Sequence, residues 1–181
     1  MQRNKAFLEL GGRSLVERSL EILQAIFAEV LISSNQLELF ESYGVRIIPD
    51  LIRDKGPLGG LYTGLSTAVH EVSFFVACDM PFLQANVIRY LAQYVNNEID
   101  VVVPQEESGL HPLHAFYRRS CLPLIEDNLK AQDLKIIDFY SKCRVRYVEF
   151  PELAPLGNLS KIFCNINTPK EWADIQELDL V

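Results

Sequence analysis

One carboxylate follows directly on the most apolar stretch of the sequence. Residues 74–78 are all apolar or small, Asp79 comes next, and Pro81 restricts the turn that follows. A carboxylate at the end of a buried strand suits Mg²⁺, a hard cation that prefers oxygen ligands and usually keeps several waters. The alternative is an aspartate that only caps a turn or helix. Asp79 is therefore a candidate catalytic and metal-binding residue whose neighbours decide its role.

A glycine-rich segment at residues 56–60 precedes a predicted helix. Glycines let the backbone approach a ligand closely, and a helix N-terminus favours anions. An ordinary tight loop is the alternative, but Asp50 shortly before it, at a predicted strand end, favours a binding role. The candidate substrate-side residues of this segment are Gly56, Pro57, Gly59 and Gly60.

Three further polar positions are candidates for substrate contacts. Lys5, taken alone, is a solvated lysine. His111 and His114 lack zinc-ligand spacing and a partnering acid, so we expect them to orient loop backbone or to contact a substrate. Asn165 and Asn167 are either part of a helix-capping turn or site residues. No serine or cysteine lies in a nucleophile elbow, so a protein nucleophile is not predicted.

Charge and composition narrow the class of protein. A net charge of −7 argues against nucleic acid as a partner, since Arg118-Arg119 is too small a basic patch. No apolar run is long enough to cross a bilayer and the start has no apolar signal core, so we expect a soluble cytoplasmic protein without membrane partners. The four cysteines are scattered, which indicates reduced thiols in the core or on helix surfaces rather than zinc ligands. They are Cys78, Cys121, Cys143 and Cys164.

Short apolar runs alternate with helical patterns along the chain. Runs at 30–33, 45–49, 73–78 and 99–104 predict buried strands, and periodic apolar positions predict helices between 15 and 27, 61 and 69, and 87 and 95. Residues 144–150 alternate more strictly, which indicates an antiparallel or an edge strand. Ser14 with Glu17 forms a predicted capping box, and Thr168 is predicted to cap a last helix that opens at Pro169.

This alternation predicts one α/β domain over residues 1–181 with a mostly parallel sheet. Ligands of open parallel sheets bind at the carboxyl ends of the strands. Ser33, Asn35, Asp50 and Asp79 follow such ends and are expected to share a pocket. Polar turn residues follow strands in any protein, however, so both interpretations stand.

Taken in order, these segments resemble the molybdenum cofactor guanylyltransferase family. The resemblance covers nearly the whole chain. The matching segments are 5–12, Pro49-Asp50, 56–60, Cys78-Asp79-Met80-Pro81-Phe82, His111-Pro112-Leu113, 115–119 and Asn165-Ile166-Asn167-Thr168-Pro169.

The resemblance implies a Rossmann-like, glycosyltransferase-A type fold with helices flanking the sheet. It implies transfer of GMP from GTP to molybdopterin with Mg²⁺ as cofactor, and molybdoenzymes or other cofactor-biosynthesis proteins as further partners. By matching position, Lys5 would contact the GTP phosphates and act in catalysis, Ser33 or Asn35 with Asp50 would contact the nucleoside, and Asp79 would bind the metal and GTP. The substrate-side residues would be His111, Asn165, Asn167 and the glycines of residues 56–60.

The sequence departs from the family pattern at its start. The family begins with an apolar strand and a glycine-rich phosphate loop. Met1 falls near the end of that loop, Gln2 stands where glycine is usual, and Asn4 where aspartate is common. We therefore expect a sheet without its first strand, and weak or no transfer until an upstream extension supplies the loop. The alternatives are a cytidylyltransferase or other nucleotidyltransferase, or a non-catalytic binding homologue.

Overall fold

The computed structural model describes residues 5–179, with side chains to residue 176, as nine short strands and flanking helices. The predictions for Met1, Gln2 and Asn4 lie outside the described residues. The strands are β1 Glu9–Leu10, β2 Arg13–Ser14, β3 Leu31–Ser33, β4 Arg46–Ile48, β5 Val72–Val76, β6 Val101–Glu106, β7 Gly109–Leu110, β8 His114–Arg118 and β9 Val145–Glu149. The helices are α1 Leu15–Gln24, α2 Gly56–Thr67, α3 Ala85–Ala92, α4 Leu122–Ala131, α5 Phe150–Leu153, α6 Leu159–Ile162 and α7 Pro169–Asp179.

The four apolar runs and the periodic segments form the predicted strands and helices. The capping box at the start of α1 is confirmed: the Glu17 amide donates to Ser14 Oγ at 3.3 Å, and Glu17 Oε2 accepts from the Ser14 amide at 2.7 Å. The cap of α7 is confirmed too, since the Glu171 amide donates to Thr168 Oγ1 at 3.2 Å. Local hydrogen bonding thus fixes both helix starts as the sequence predicts.

The largest sheet has the order β5-β8-β6-β7, with β9 on the other edge of β6. β8 runs antiparallel to both β5 and β6, while β9 is parallel to β6. β5, β6 and β9 therefore share one direction, and their carboxyl ends meet at one edge of a mixed sheet. The α/β prediction is confirmed, but the expectation of a mostly parallel sheet is wrong for the large sheet, because β7 and β8 both run antiparallel to β6. For residues 144–150 the edge interpretation is right and the antiparallel one is wrong.

Helices cover both faces of this sheet because its side chains alternate. Val101, Val103 and Tyr117 pack with α2 and α4 in one hydrophobic cluster. Val102 and Phe116 pack with α3 in another cluster on the opposite face. This two-sided core holds the ends of β5 and β6 in fixed positions.

Strands β3 and β4 form a separate parallel pair that makes no ladder with the large sheet within the described residues. A cavity of about 740 Å³ lies between them and the large sheet. Its apolar walls include Leu31 and Ile32 of β3, Phe74 of β5, and Leu20 and Leu23 of α1. Within residues 5–179, β3 pairs only with β4 and β5 pairs only with β8.

Several polar and sulfur-bearing side chains have structural positions. Arg118 and Arg119 donate to backbone carbonyls of Asn96, Ile99, Ala68 and His70, so the small basic patch links loops together.

The cysteines differ in exposure. Cys121 is buried as expected, whereas Cys78 is exposed, so the prediction that its thiol lies in the core is wrong. Within residues 5–179 the helices are too short or too polar to cross a bilayer.

Candidate functional site

Asp79 lies just beyond the carboxyl end of β5, at the wall of the large cavity. Its backbone carbonyl accepts a hydrogen bond from the Ile166 amide at 3.1 Å, which fixes the turn. Its side chain is 19% exposed, and Oδ2 accepts from Lys5 Nζ at 3.2 Å. The carboxylate is thus accessible from the cavity and paired with a cation, which favours its charged form, the form that binds a metal ion.

Lys5 contacts two parts of the chain that are distant in sequence. Besides Asp79, its Nζ donates to Asn167 Oδ1 at 3.2 Å. The following residue, Ala6, is 1% exposed and anchors this segment in a small hydrophobic cluster. An ammonium held beside a carboxylate and an amide offers a positive charge to a phosphate without being buried itself.

The segment 165–167 presents both asparagines on one side. Ile166 between them is fully buried, so the alternation of an extended chain turns Asn165 and Asn167 outward, and both line the cavity. The capping interpretation also holds, because Glu171 Oε2 accepts from the Asn167 and Thr168 amides at 2.6 and 2.9 Å. One segment therefore both starts α7 and places two amides beside Asp79.

A second polar group forms at the carboxyl ends of β3 and β4. Ser33 Oγ donates to Asp50 Oδ1 at 2.7 Å, and Asn35 Nδ2 donates to Asp50 Oδ2 at 2.9 Å. The Asp50 amide donates back to Asn35 Oδ1 at 3.2 Å. The predicted convergence of these three residues is seen, and Ser33 lines the same cavity as Asp79. Hydroxyl, amide and carboxylate groups in this arrangement suit the hydroxyl and N–H groups of a nucleoside.

The glycine-rich segment does not precede α2 but forms its first turn, which corrects the sequence interpretation. Pro at the second helical position explains this, because its fixed φ suits a helix start. Gly59 is needed for packing, since a Cβ there would lie 2.8 Å from Lys55 Cβ. Gly56 has φ of +54°, while Pro57 and Gly60 line the cavity. The helix N-terminus therefore adjoins the cavity, where it favours an anion.

His111 has an acidic partner, which corrects the expectation that it lacks one. Its Nε2 lies 3.0 Å from Glu106 Oε1, and the ring lines the cavity. Burial lowers the pKa of His111 below its ordinary value, although Glu106 acts in the opposite direction. Glu106 was missed as a site residue, yet it ends β6 at the same sheet edge as Asp79 and could have been found by the strand-end rule.

His114 is fully buried at the cavity wall, and within the described residues neither ring nitrogen has a hydrogen-bond partner. Its ring packs against Phe163 and Phe74, with centroid distances of 4.7 and 5.2 Å. Burial lowers the pKa of His114 to about 3, so the ring is uncharged at neutral pH. No pattern in the sequence distinguishes this histidine from an ordinary core residue.

The described residues include no cluster of three or more histidine, cysteine or acidic side chains that would hold a metal ion. Asp79, together with the amide oxygens of Asn165 and Asn167, offers a sparse oxygen set at the cavity. Such a set suits Mg²⁺, which is commonly held by one or two carboxylates, substrate phosphates and water.

Comparison with known families decides what kind of protein carries this site. A model described as MobA-like NTP transferase domain matches residues 1–144. The chain belongs to the MobA-like NTP transferase family. The family resemblance predicted from the sequence motifs is therefore confirmed.

Curated relatives of this NTP transferase carry a common name. A protein of Pelotomaculum thermopropionicum, named probable molybdenum cofactor guanylyltransferase, is 39% identical over 171 residues, which are 94% of this chain and 83% of the relative. The molybdenum cofactor guanylyltransferase of Desulfosudis oleivorans is 35% identical over 93% of this chain and 83% of its own length.

Solved structures of other NTP transferases have the same fold. The molybdopterin-guanine dinucleotide biosynthesis protein A of Archaeoglobus fulgidus superposes with a TM-score of 0.87 at 25% identity, covering 98% of this chain and 91% of that one. The 2-C-methyl-D-erythritol 4-phosphate cytidylyltransferase of Thermus thermophilus superposes with a TM-score of 0.70 at 18% identity over 98% and 94% of the two chains. That second likeness supports the glycosyltransferase-A type fold alone.

Proposed function

We propose that this chain is a molybdenum cofactor guanylyltransferase, which transfers GMP from GTP to the phosphate of molybdopterin and releases pyrophosphate. Membership of the family and the names of the relatives support the choice of GTP and molybdopterin. The observation that carries the proposal is the contact of Lys5 with both Asp79 and Asn167 at the wall of a cavity that Ser33 also lines.

The reaction requires positioning and charge stabilisation rather than a protein nucleophile. An oxygen of the acceptor phosphate bonds to the α-phosphorus of GTP, and the bond from that phosphorus to the β-phosphate oxygen breaks. Lys5 neutralises negative charge on the phosphates while Asn165 and Asn167 orient them. At the other side of the cavity, Asp50 with Ser33 and Asn35 binds the nucleoside through its carboxylate, hydroxyl and amide groups.

Asp79 is the residue that would hold Mg²⁺, because its carboxylate is accessible and lines the same cavity as Asn165 and Asn167. When bound, the ion supplies positive charge to the triphosphate and to the departing pyrophosphate. Lys5 pairs with the same carboxylate, so the two cations would act on the phosphates from neighbouring positions. The proposal places the reaction in the cytoplasm, with a molybdoenzyme or another cofactor-biosynthesis protein receiving the product.

The test is a transfer assay with GTP or CTP in the presence of molybdopterin, with product and pyrophosphate both measured. The chain is assayed as it is and with an N-terminal extension that carries an apolar strand and a glycine-rich loop. We expect GTP to be preferred, the extended form to be the more active, and Asp79→Asn to lower kcat about 100-fold or more. Asp127→Asn, an exposed aspartate on α4, is the matched control.

A preference for CTP would replace the proposal with a cytidylyltransferase. Full activity of Asp79→Asn would remove the central carboxylate from the mechanism. Binding of substrates without pyrophosphate release in either form would favour a non-catalytic homologue.

A further inference from the structure

A carboxylate–imidazole pair lies at the edge of the sheet near Asp79 but has no part in the mechanism above. Glu106 is the last residue of β6, and His111 follows the short strand β7. The β6–β7 register pairs Glu106 with Gly109, and the His111 amide donates to the Pro104 carbonyl at 3.0 Å. These contacts bring the two side chains to a separation of 3.0 Å. The pair is thus fixed by backbone hydrogen bonds.

Two aromatic side chains, which also contact each other, pack against the His111 ring. Phe150 stacks on it with a centroid distance of 5.4 Å and an interplanar angle of 8°, and Phe163 lies at 4.6 Å. Nε2 lies 3.0 Å from Glu106 Oε1, and among the described residues Nε2 is the only ring nitrogen of His111 with a hydrogen-bond partner.

Glu106 determines which nitrogen of His111 carries the proton. Burial lowers the pKa of His111, so the ring is neutral at pH 7 and holds a single N–H. A carboxylate accepts hydrogen bonds only, so the proton lies on Nε2, facing Glu106. Nδ1 is then left with a lone pair and acts as an acceptor. It is suited to an N–H group of a ligand and unsuited to the oxygen of a phosphate.

We propose that His111, oriented by Glu106, accepts through Nδ1 a hydrogen bond from an N–H group on the 2-amino-4-oxopyrimidine edge of the acceptor's pterin. This inference rests on the proposed function and deepens it. His111 is a specificity residue, and Glu106 is a positioning residue that acts through it. Neighbouring His114 is fully buried and uncharged as well, so neither histidine adds a positive charge to this side of the cavity.

Guanine carries the same 2-amino-4-oxopyrimidine edge as the pterin. The position of the Glu106–His111 pair in the fold therefore decides whether His111 contacts GTP or the acceptor. β6 lies two strands from β5, about 10 Å across the sheet. The nucleoside group of Ser33 and Asp50 belongs to the separate β3–β4 pair, which lines the cavity together with β5. A GTP whose nucleoside binds there leaves His111 to the acceptor.

The first experiment needs no turnover. With ¹⁵N-labelled histidine, we expect pterin itself to shift the His111 Nδ1 resonance, while guanosine at the same concentration leaves it unchanged. A resonance that shows Nδ1 protonated in the free protein would overturn the tautomer argument. An unchanged resonance at saturating pterin, or a shift with guanosine instead, would overturn the assignment to the acceptor.

Variants supply the second experiment, read out as separate dissociation constants for pterin and GTP. His111→Phe keeps an aromatic ring against Phe150 but loses the nitrogen, and we expect pterin binding to weaken about tenfold with GTP binding unchanged. His111→Asn places an amide near the position of Nδ1 and should recover part of the loss. Glu106→Gln should weaken pterin binding less than His111→Phe, and Glu107→Gln, an exposed neighbour, is the matched control.

Equal pterin affinity in His111→Phe and the unaltered protein would contradict the inference. The ¹⁵N result on the unaltered protein decides the matter if a variant does not fold. Pterin binding through His111 without GMP transfer would leave the inference standing and count against the proposed function. If GMP is transferred from GTP and His111→Phe changes the dissociation constant of neither substrate, the proposed function stands and the inference about His111 is contradicted.

Discussion

At the scale of single residues, His114 shows how burial and polarity conflict. A buried imidazole with neither nitrogen paired loses the hydrogen bonds that water gives it in the unfolded chain. Burial lowers the pKa of His114 to about 3 in the folded protein, whereas in the unfolded chain it has its ordinary value of about 6.5. Between these two pH values the unfolded chain binds a proton at this histidine and the folded protein does not. The native state is therefore stabilised less and less as the pH falls from 6.5 towards 3.

We predict that His114→Leu is at least as stable as the unaltered protein at pH 7 and gains on it as the pH falls. The variant has no group to protonate, so its unfolding free energy should exceed that of the unaltered protein by about 1 kcal/mol or more at pH 5. Urea unfolding at pH 7, 6 and 5 measures the difference. His70→Leu, an exposed histidine, is the control, and a difference that shrinks with falling pH would contradict the prediction.

Some site residues could be predicted from the sequence and others could not, for a physical reason. Asp79 and Asp50 each follow an apolar strand. Both could be predicted as site residues because ligands of α/β sheets bind at the carboxyl ends of the strands. The pairing of Glu106 with His111 depends on the register of the β6–β7 hairpin, which the residue types do not specify. The contact of Lys5 with Asn167 depends on the whole fold, because the two residues are 162 positions apart.

At the scale of elements, hydrophobic periodicity predicted the strands of the large sheet that share one direction. It did not predict β8 as a strand, although the family motif at 115–119 falls on it. β8 lies between β5 and β6 and runs in the opposite direction. Because both faces of β8 are buried, its sequence lacks the alternation of apolar and polar residues that marks many antiparallel strands. The start of α2 was placed too late because glycines were taken as loop residues, whereas Pro57 starts the helix.

Asp100 joins three elements just before β6. It accepts from the Arg144 amide, Nε and Nη2 at 2.9 to 3.0 Å and from Ser120 Oγ at 2.7 Å, which connects β6, β9 and the turn before α4. The hydrogen bonds from Arg144 hold the pKa of Asp100 well below its usual range. A carboxyl with a lowered pKa stabilises the fold above its unfolded value, and this stabilisation is lost as the pH falls through the folded value.

We predict that Asp100→Asn lowers the unfolding free energy by about 2 kcal/mol at pH 7, because it weakens several charge-assisted hydrogen bonds at once. The difference in unfolding free energy between the two proteins should become smaller below about pH 4, because the unaltered protein then begins to lose the stabilisation that the charged Asp100 provides. Denaturant unfolding at pH 7 and pH 3 measures both values. Asp127→Asn should leave the unfolding free energy unchanged at both pH values. If the effect of Asp100→Asn were the same at pH 7 and pH 3, the charge of Asp100 would be unimportant for stability.

At the scale of the whole molecule, strand pairing is uneven. β6 is bonded to β8 on one side and to β9 on the other, while β3 and β5 each have one partner within the described residues. Amide exchange requires local opening, and a strand paired on both sides opens at higher cost. Stability should therefore fall from β6 towards the gap.

We predict that amide hydrogens of β6 exchange at least about tenfold more slowly than those of β3 and β4. Hydrogen exchange followed by mass spectrometry at neutral pH gives the comparison. An N-terminal extension that supplies a strand should protect β3 and β5 and leave β6 unchanged. Equal exchange in β3 and β6 in the chain as it is would show that the gap does not weaken the molecule.

The contacts of Asp79 have a practical consequence for engineering. Lys5 donates to the Asp79 carboxylate and to Asn167 Oδ1, so the segments around residues 5 and 167 meet beside the cavity. A dye pair attached near these segments would report ligand-dependent movement at short range. A circular permutant that joins them through a linker would instead tie Lys5 to the amide that it contacts, and new ends opened in the exposed residues 96–98 would lie away from Asp79.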